Sequence, residues 1–288
     1  MIGSTMRRKG IASTLLAGLL VAIGTLPAVG QGELGWELKD SGVEVGLRGL
    51  WAVSAGVVWA TGADGTWVRT ADGGTSWQHG RIPGAEELGV RDVHAFDARH
   101  ALVLTIASPG RIYRTLDGGA TWEMVYEDAR PEVFFNCMDF ADDLRGYAVG
   151  DPIDGRFLLI ETVDGGATWT ELSVLERPYP VAGEAQFAAS GTCLQAEGDN
   201  VWIGTVGAVA RVFRSTDRGR QWSAAETPLQ QGSASMGVFG LLVWNETDGS
   251  VVGGEYTRTT DPWQTAALST DGGGSWWAVG GRPPGGFR

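Results

Sequence analysis

The chain has 288 residues and a formal net charge of −12, a length that suits one large repeat domain or two ordinary ones. An acidic surface repels phosphate backbones, which excludes nucleic acid as a natural partner. Two cysteines and three scattered histidines (His79, His94, His100) give no zinc-ligand spacing, so no metal and no cofactor is expected.

Arg7, Arg8 and Lys9 precede an uncharged apolar run from Ile11 to Leu26, followed by Pro27-Ala28-Val29-Gly30. This is the order of a secretory signal over residues 1–30 with cleavage after Gly30. An uncleaved anchor is the alternative, but the run is short for a bilayer span. A periplasmic or extracellular location is therefore expected, with no membrane span after cleavage. Loss of the three cations takes the net charge to −15.

Residues 31–288 read as one all-β domain. Trp36-Glu37-Leu38 looks like a Trp-led strand at its start. Strands are then expected at 47–53, 57–61, 67–70 and 76–81, from β-branched and aromatic runs between Gly and Asp turns. The pattern returns at 90–96, 101–107, 111–115 and 121–126, and at 133–140, 146–150, 157–162 and 168–174. It returns again at 192–196, 201–205, 210–214 and 221–225, and at 238–244, 251–254, 266–269 and 275–279. No helical period of useful length follows residue 30.

Between the third and fourth strand of every unit stands the same octet, Ser/Thr-x-Asp-x-Gly-x-x-Trp. Its five copies carry Asp72 and Trp77, Asp117 and Trp122, Asp164 and Trp169, Asp217 and Trp222, and Asp271 and Trp276. The aspartates are spaced 45, 47, 53 and 54 residues apart, a period that signals a propeller or solenoid. Each octet residue has a structural task. The carboxylate accepts backbone N–H groups of the tight turn, the fifth-position glycine supplies positive φ, and the tryptophan covers the hairpin. Copies about fifty residues apart cannot share a calcium ion. Trp51, Trp59 and Trp202 are expected in the core between units. Cys137 and Cys193 fall at equivalent positions of successive units. Whether they pair is open, since equivalent residues point the same way around a ring.

Four antiparallel strands per unit make a β-propeller blade. Five such blades are visible. The N-terminal strand at Trp36 has no blade to finish and the sequence stops at Gly286-Phe287-Arg288, so a further blade beyond the C-terminus is expected.

The octets, together with the segments Gly150-Asp151-Pro152-Ile153-Asp154-Gly155-Arg156 and 183–191, resemble bacterial secreted BNR/Asp-box repeat proteins related to the photosystem II stability/assembly factor group. The resemblance covers nearly all of residues 31–288 and implies a seven-bladed propeller, here cut short at its C-terminus. The photosystem factors bind a membrane-protein assembly intermediate through a basic patch. This sequence departs from them in its acidic balance and its lack of clustered arginines. Sialidases share the Asp box, and a glycosidase is the enzymatic alternative. They need an arginine triad, an acid/base Asp and a Tyr–Glu pair. Arg81-Ile82-Pro83 spells their Arg-Ile-Pro motif but follows the first octet instead of preceding it, and Tyr113, Tyr126 and Tyr179 have no nucleophile context.

Octet turns and first-to-second-strand turns share one end of a blade. The other end carries polar loops with Asp151, Asp154 and Arg156, with Glu184 and Ser190, and with Glu255, Tyr256 and Arg258. These eight form the expected ligand-binding face around a central funnel, although Asp and Arg beside Gly and Pro also close loops. No catalytic set is recognised. If chemistry occurs, Asp151 or Asp154 with Glu184 is the pair to test. The function that emerges is a non-catalytic binding or assembly module with a protein or glycan partner in the cell envelope.

Overall fold

The computed structural model describes residues 37–189, 191–258, 260 and 263–279. The chain divides into two compact units, Met1–Leu38 and Lys39–Arg288. Of the first only Glu37 and Leu38 are described, so the signal segment lies outside the described residues. Glu37 and Leu38 belong to no strand, and Leu38 is fully exposed. Trp36, at the head of the strand expected there, lies outside the described residues.

The second unit is all-β. The first sheet is β1 (Leu47–Ala52), β2 (Val58–Gly62), β3 (Thr66–Thr70) and β4 (Gln78–Arg81). The second is β5 (Val90–Ala95), β6 (Ala101–Thr105), β7 (Gly110–Thr115) and β8 (Glu123–Asp128). The third is β9 (Phe135–Phe140), β10 (Gly146–Ile153), β11 (Arg156–Thr162) and β12 (Thr170–Glu171). A short β13 (Glu184–Ala185) follows. The fourth sheet is β14 (Leu194–Glu197) and β15 (Asn200–Gly204), then, after a short β16 (Val206–Gly207), β17 (Arg211–Ser215) and β18 (Ser223–Glu226). The fifth holds β19 (Ser233–Val243), β20 (Gly249–Glu255), β21 (Ala266–Ser269) and β22 (Trp277–Ala278). All pairings are antiparallel between sequence neighbours within a sheet, the meander of a propeller blade.

The fifth sheet is wider than the four strands expected. β13 pairs with β16, and β16 with the start of β19, giving six strands. Those pieces come from the loop leading into the fourth sheet and from its second-to-third-strand loop, where sequence patterning shows only connection.

Successive first strands are neighbours: β1 with β5, β5 with β9, β9 with β14 and β14 with β19. Side-chain bonds join the last three of these pairs. Asp92 Oδ2 accepts the Met138 N–H at 2.7 Å, and Asp139 Oδ2 accepts the Ala196 N–H at 2.8 Å. Gln195 donates to the Val243 carbonyl and accepts its N–H, both at 2.6 Å. Cys137 and Cys193 are bonded as a disulfide with a Cα–Cα distance of 5.9 Å. Apolar clusters fill the space between sheets. Trp59, Leu102, Tyr147 and Trp202, the corresponding residues of four second strands, are all fully or nearly fully buried.

In four places the fifth-position octet glycine of one sheet lies against the sheet before it. A Cβ there would overlap Trp67 at Gly119 and Leu102 at Gly166, and would crowd Trp202 at Gly273 and approach Tyr147 at Gly219. The fourth-position N–H ties each octet to the first-to-second-strand turn of its own sheet. Gly73 donates to Gly56, Gly118 to Arg99, Gly165 to Leu144, Arg218 to Asp199 and Gly272 to Thr247, at 2.6–3.0 Å. These turns therefore share one end of the sheets, and the loops of interest lie at the other.

Candidate functional site

The octets form one closed hydrogen-bond circuit. The first-position hydroxyl of Thr70, Thr115, Thr162, Ser215 or Ser269 donates to the Asp Oδ1 at 2.8–2.9 Å and accepts the N–H of the fifth-position glycine at 2.8–3.0 Å. The same Oδ1 accepts the seventh-position N–H at 2.9 Å in each copy. In four copies Oδ2 accepts the seventh-position hydroxyl at 2.6–2.7 Å. Bonds to the charged carboxylate hold it ionised. The seventh-position hydroxyl is the largest cause for Asp72, Asp117 and Asp271, whose pKa values fall to about 2. It also lowers Asp164, while the Gln221 N–H leads in lowering Asp217. Sequence reasoning placed the turn's N–H groups on the aspartate alone. The hydroxyl one turn earlier takes the glycine N–H instead.

At the opposite end the structure separates the eight expected site residues. Asp151 lies within β10, half-buried, and accepts the Gln186 N–H at 3.1 Å and the Asn136 Nδ2 at 3.0 Å. Burial raises its pKa against those two bonds. Asp154 sits exposed at the tip of the β10–β11 hairpin with φ 55°, next to Gly155 at φ 75°, the dihedral signs of a two-residue hairpin turn. Arg156 lies over the Tyr179 ring at 4.7 Å and donates to the Arg177 carbonyl. Glu184 is buried and paired with Arg211 at 2.5 Å, and it also accepts the Thr205 hydroxyl and the Val181 N–H. Glu255 accepts the hydroxyls of Ser235 and Thr257, and those bonds lower its pKa. Arg258 is exposed. Ser190 lies outside the described residues. Asp151, Glu184 and Glu255 are thus each bound into local structure.

A cavity of about 820 Å³ opens between the sheets, lined by Arg48, Arg91, Phe134, Gln186, Phe187 and Tyr256 together with Ile106, Val206 and small residues. Of the seven expected residues that are described, only Tyr256 lines it. The other groups reach it through a shared irregularity. The register of the first strands shifts between Leu47 and Gly49, between Val90 and Asp92, and between Val238 and Gly240. The extra residues there are Arg48, Arg91 and Phe239. In the third sheet the shift leaves Asn136 as the extra residue. A bulge re-aims its extra side chain. Arg48 and Arg91 line the cavity, Phe239 stacks on Phe187 at 4.2 Å, and Asn136 Nδ2 contacts Gln186 Oε1 at 3.4 Å. The arginines, apart in sequence, are thus brought together on adjacent blades. The signal for them was an arginine after the first apolar residue of an innermost strand, as in Leu47-Arg48-Gly49-Leu50 and Val90-Arg91-Asp92-Val93.

No protein-family model matches the chain, and no curated protein matches it. Among solved structures it is similar to U3-55K at 11% identity and a TM-score of 0.57, over 84% of this chain and 69% of that one. It is similar to a GH74 enzyme of Niastella koreensis at 18% identity and a TM-score of 0.54, over 82% of this chain but only 31% of that one. It is also similar to YCF48 bound to a D1 peptide, at 14% identity and a TM-score of 0.40, over 82% of both chains. Identities this low speak for the fold alone. Taken with the sheet topology, the class is an all-β propeller of four-stranded antiparallel blades.

Proposed function

We propose that the chain is a non-catalytic binding or assembly module of the cell envelope, exported by its N-terminal segment, that meets a protein or glycan partner with the cavity end of its blades. One observation carries this reading. Asp151 and Glu184, the carboxylates best placed for chemistry, are committed to backbone, amide and guanidinium partners, while among the described residues no carboxylate lines the cavity. General acid–base catalysis on a glycosidic bond needs two carboxyl groups facing one substrate. The low-identity likeness to a glycoside hydrolase supplies a fold and no such pair.

Two measurements test the reading. Full-length protein is used to capture partners from periplasm or medium, beside Phe187→Ala and Tyr256→Ala variants. A stable partner lost on either substitution is expected; a chain that stays alone contradicts the proposal. Glycan turnover is screened in parallel with Asp151→Ala, Asp154→Ala and Glu184→Ala. Turnover by the parent that any of these abolishes replaces the binding module with a carbohydrate-active enzyme.

A further inference from the structure

Eight arginines of this chain (Arg111, Arg114, Arg130, Arg145, Arg177, Arg211, Arg218 and Arg220) pair with carboxylates. Eight other described arginines have no ion pair among the described residues, and of these Arg48 and Arg91 stand in one cavity, though acids outnumber bases in the sequence. Arg91 is half-buried, and its one polar contact is a long bond of 3.4 Å to the Ala188 carbonyl. Its pKa is lowered, by burial first and by the charge of Arg48 second. Two guanidinium groups are thus held near each other on successive bulges, against their mutual repulsion and without an acid to relieve it.

A second, independent feature lies in the same cavity. Gln186 is 6% exposed, its Oε1 accepts from Asn136, and its Nε2 has no partner. A buried donor left unmade is costly in any fold. Asp151 is bonded to the Gln186 N–H and to Asn136, and burial raises its pKa. Beside Thr257 the remaining described wall is mostly apolar, with Phe134 and with Phe187 stacked on Phe239 and flanked by Tyr256 at 6.0 Å. The volume of about 820 Å³ is in the range of sites for small molecules.

We infer that this cavity binds a small organic oxyanion, its carboxylate or phosphate group held by Arg48, Arg91 and the Gln186 amide, and its apolar body laid against Phe134, Phe187 and Tyr256. Guanidinium groups suit this task because their planar forks match the oxygens of carboxylate and phosphate. The inference rests on the reading of this end as a binding face and adds the class of ligand to it.

The test is calorimetric titration of the full chain with 4-phenylbutyrate, its neutral amide 4-phenylbutyramide, phenyl phosphate, inorganic phosphate and the peptide Ala-Ala-Phe. Arg91→Gln and Arg48→Gln are run beside the parent. The latter replaces an exposed side chain and provides a folded variant should the former not fold. Saturable binding of phenylbutyrate or phenyl phosphate is expected, at least tenfold tighter than the amide or inorganic phosphate, and at least tenfold weaker in either variant. The stronger of the two organic anions identifies the head group. Amide binding as tight as the anion, but lost in Phe187→Ala, overturns the oxyanion while leaving the binding face intact. Tighter binding of the peptide, or inorganic phosphate binding as tightly as the organic anions, overturns the small organic ligand. Binding unchanged in both arginine variants, or no binding of any probe, overturns the inference, and partner capture by the Phe187→Ala chain then judges the binding face separately.

Discussion

Thr115 shows how much one hydroxyl carries in this fold. It is buried, donates to Asp117 and accepts the N–H of Gly119, itself buried. Thr115→Val keeps the shape and removes both bonds, leaving a buried N–H unsatisfied at a cost of about 1–3 kcal/mol. Urea unfolding should show that loss, and Thr115→Ser should recover most of it. The aspartates add a pH dependence with a definite sign. Their folded pKa values are depressed to about 2 in three copies, below the ordinary carboxyl value near 4. Their contribution is complete above the unfolded value and is lost as pH falls from about 4 toward 2. Melting temperature should drop over that window. Asp92 runs the other way. Burial raises its pKa well above the ordinary value, against bonds from Met138 and Val93. Its stabilisation is complete below the unfolded value and is lost as pH rises through the folded one. The stability difference between Asp92→Asn and the parent should therefore move in the variant's favour as pH rises. The octet's aspartate and glycines were legible in sequence because they recur. The hydroxyl recurs too, but as Ser or Thr among many others it carries no mark of its task.

At the level of the strand and turn, the fifth-position glycine of four octets lies against the sheet before it. Gly166 has φ 78°, and a Cβ there would overlap Leu102; Gly219 has φ 78° with its nearest neighbours at 3.5–3.6 Å. Gly166→Ala carries an overpacking cost of about 1–3 kcal/mol on top of the backbone penalty, and Gly219→Ala the backbone penalty alone. Denaturation of the two variants should rank them in that order; equal losses would mean the octet does not press on its neighbour. The strands themselves were readable, since β-branched runs between Gly and Asp turns placed all four strands of every blade to within a few residues. The bulges were not. A single extra residue in a strand leaves alternation nearly intact on either side, so Arg48, Arg91, Asn136 and Phe239 looked like ordinary strand positions. Arg48 and Arg91 line the cavity while Asn136 and Phe239 contact its lining residues Gln186 and Phe187, which is why the loops supplied, among the described site residues, only Tyr256.

For the molecule as a whole, side-chain bonds between innermost strands join several successive blades, and a short backbone pairing of β16 with β19 joins the last two. Cys137–Cys193 is the covalent one, closing a separation of 56 residues. A loop of that length implies a stabilisation of roughly 4 kcal/mol in the chain-entropy account. Cys137→Ala with Cys193→Ala should lower the urea midpoint accordingly, and reduction of the parent should match the double variant. The pairing was open in sequence because equivalence around a ring does not tell whether two side chains meet. Here the innermost strands come close enough for the bond, as the Asp139 join in the same junction and the Asp92 join in the one before also show. The account holds that the five octets are closures of the fold with no ligand of their own, leaving recognition to the opposite end. Its most direct test is an NMR titration of the octet side-chain carboxyl groups, followed with and without added calcium. Carboxyls of Asp72, Asp117 and Asp271 titrating near 2, with Asp164 and Asp217 also low and none responding to calcium, are the predicted result. Ordinary titration near 4, or shifts on adding calcium, would contradict it.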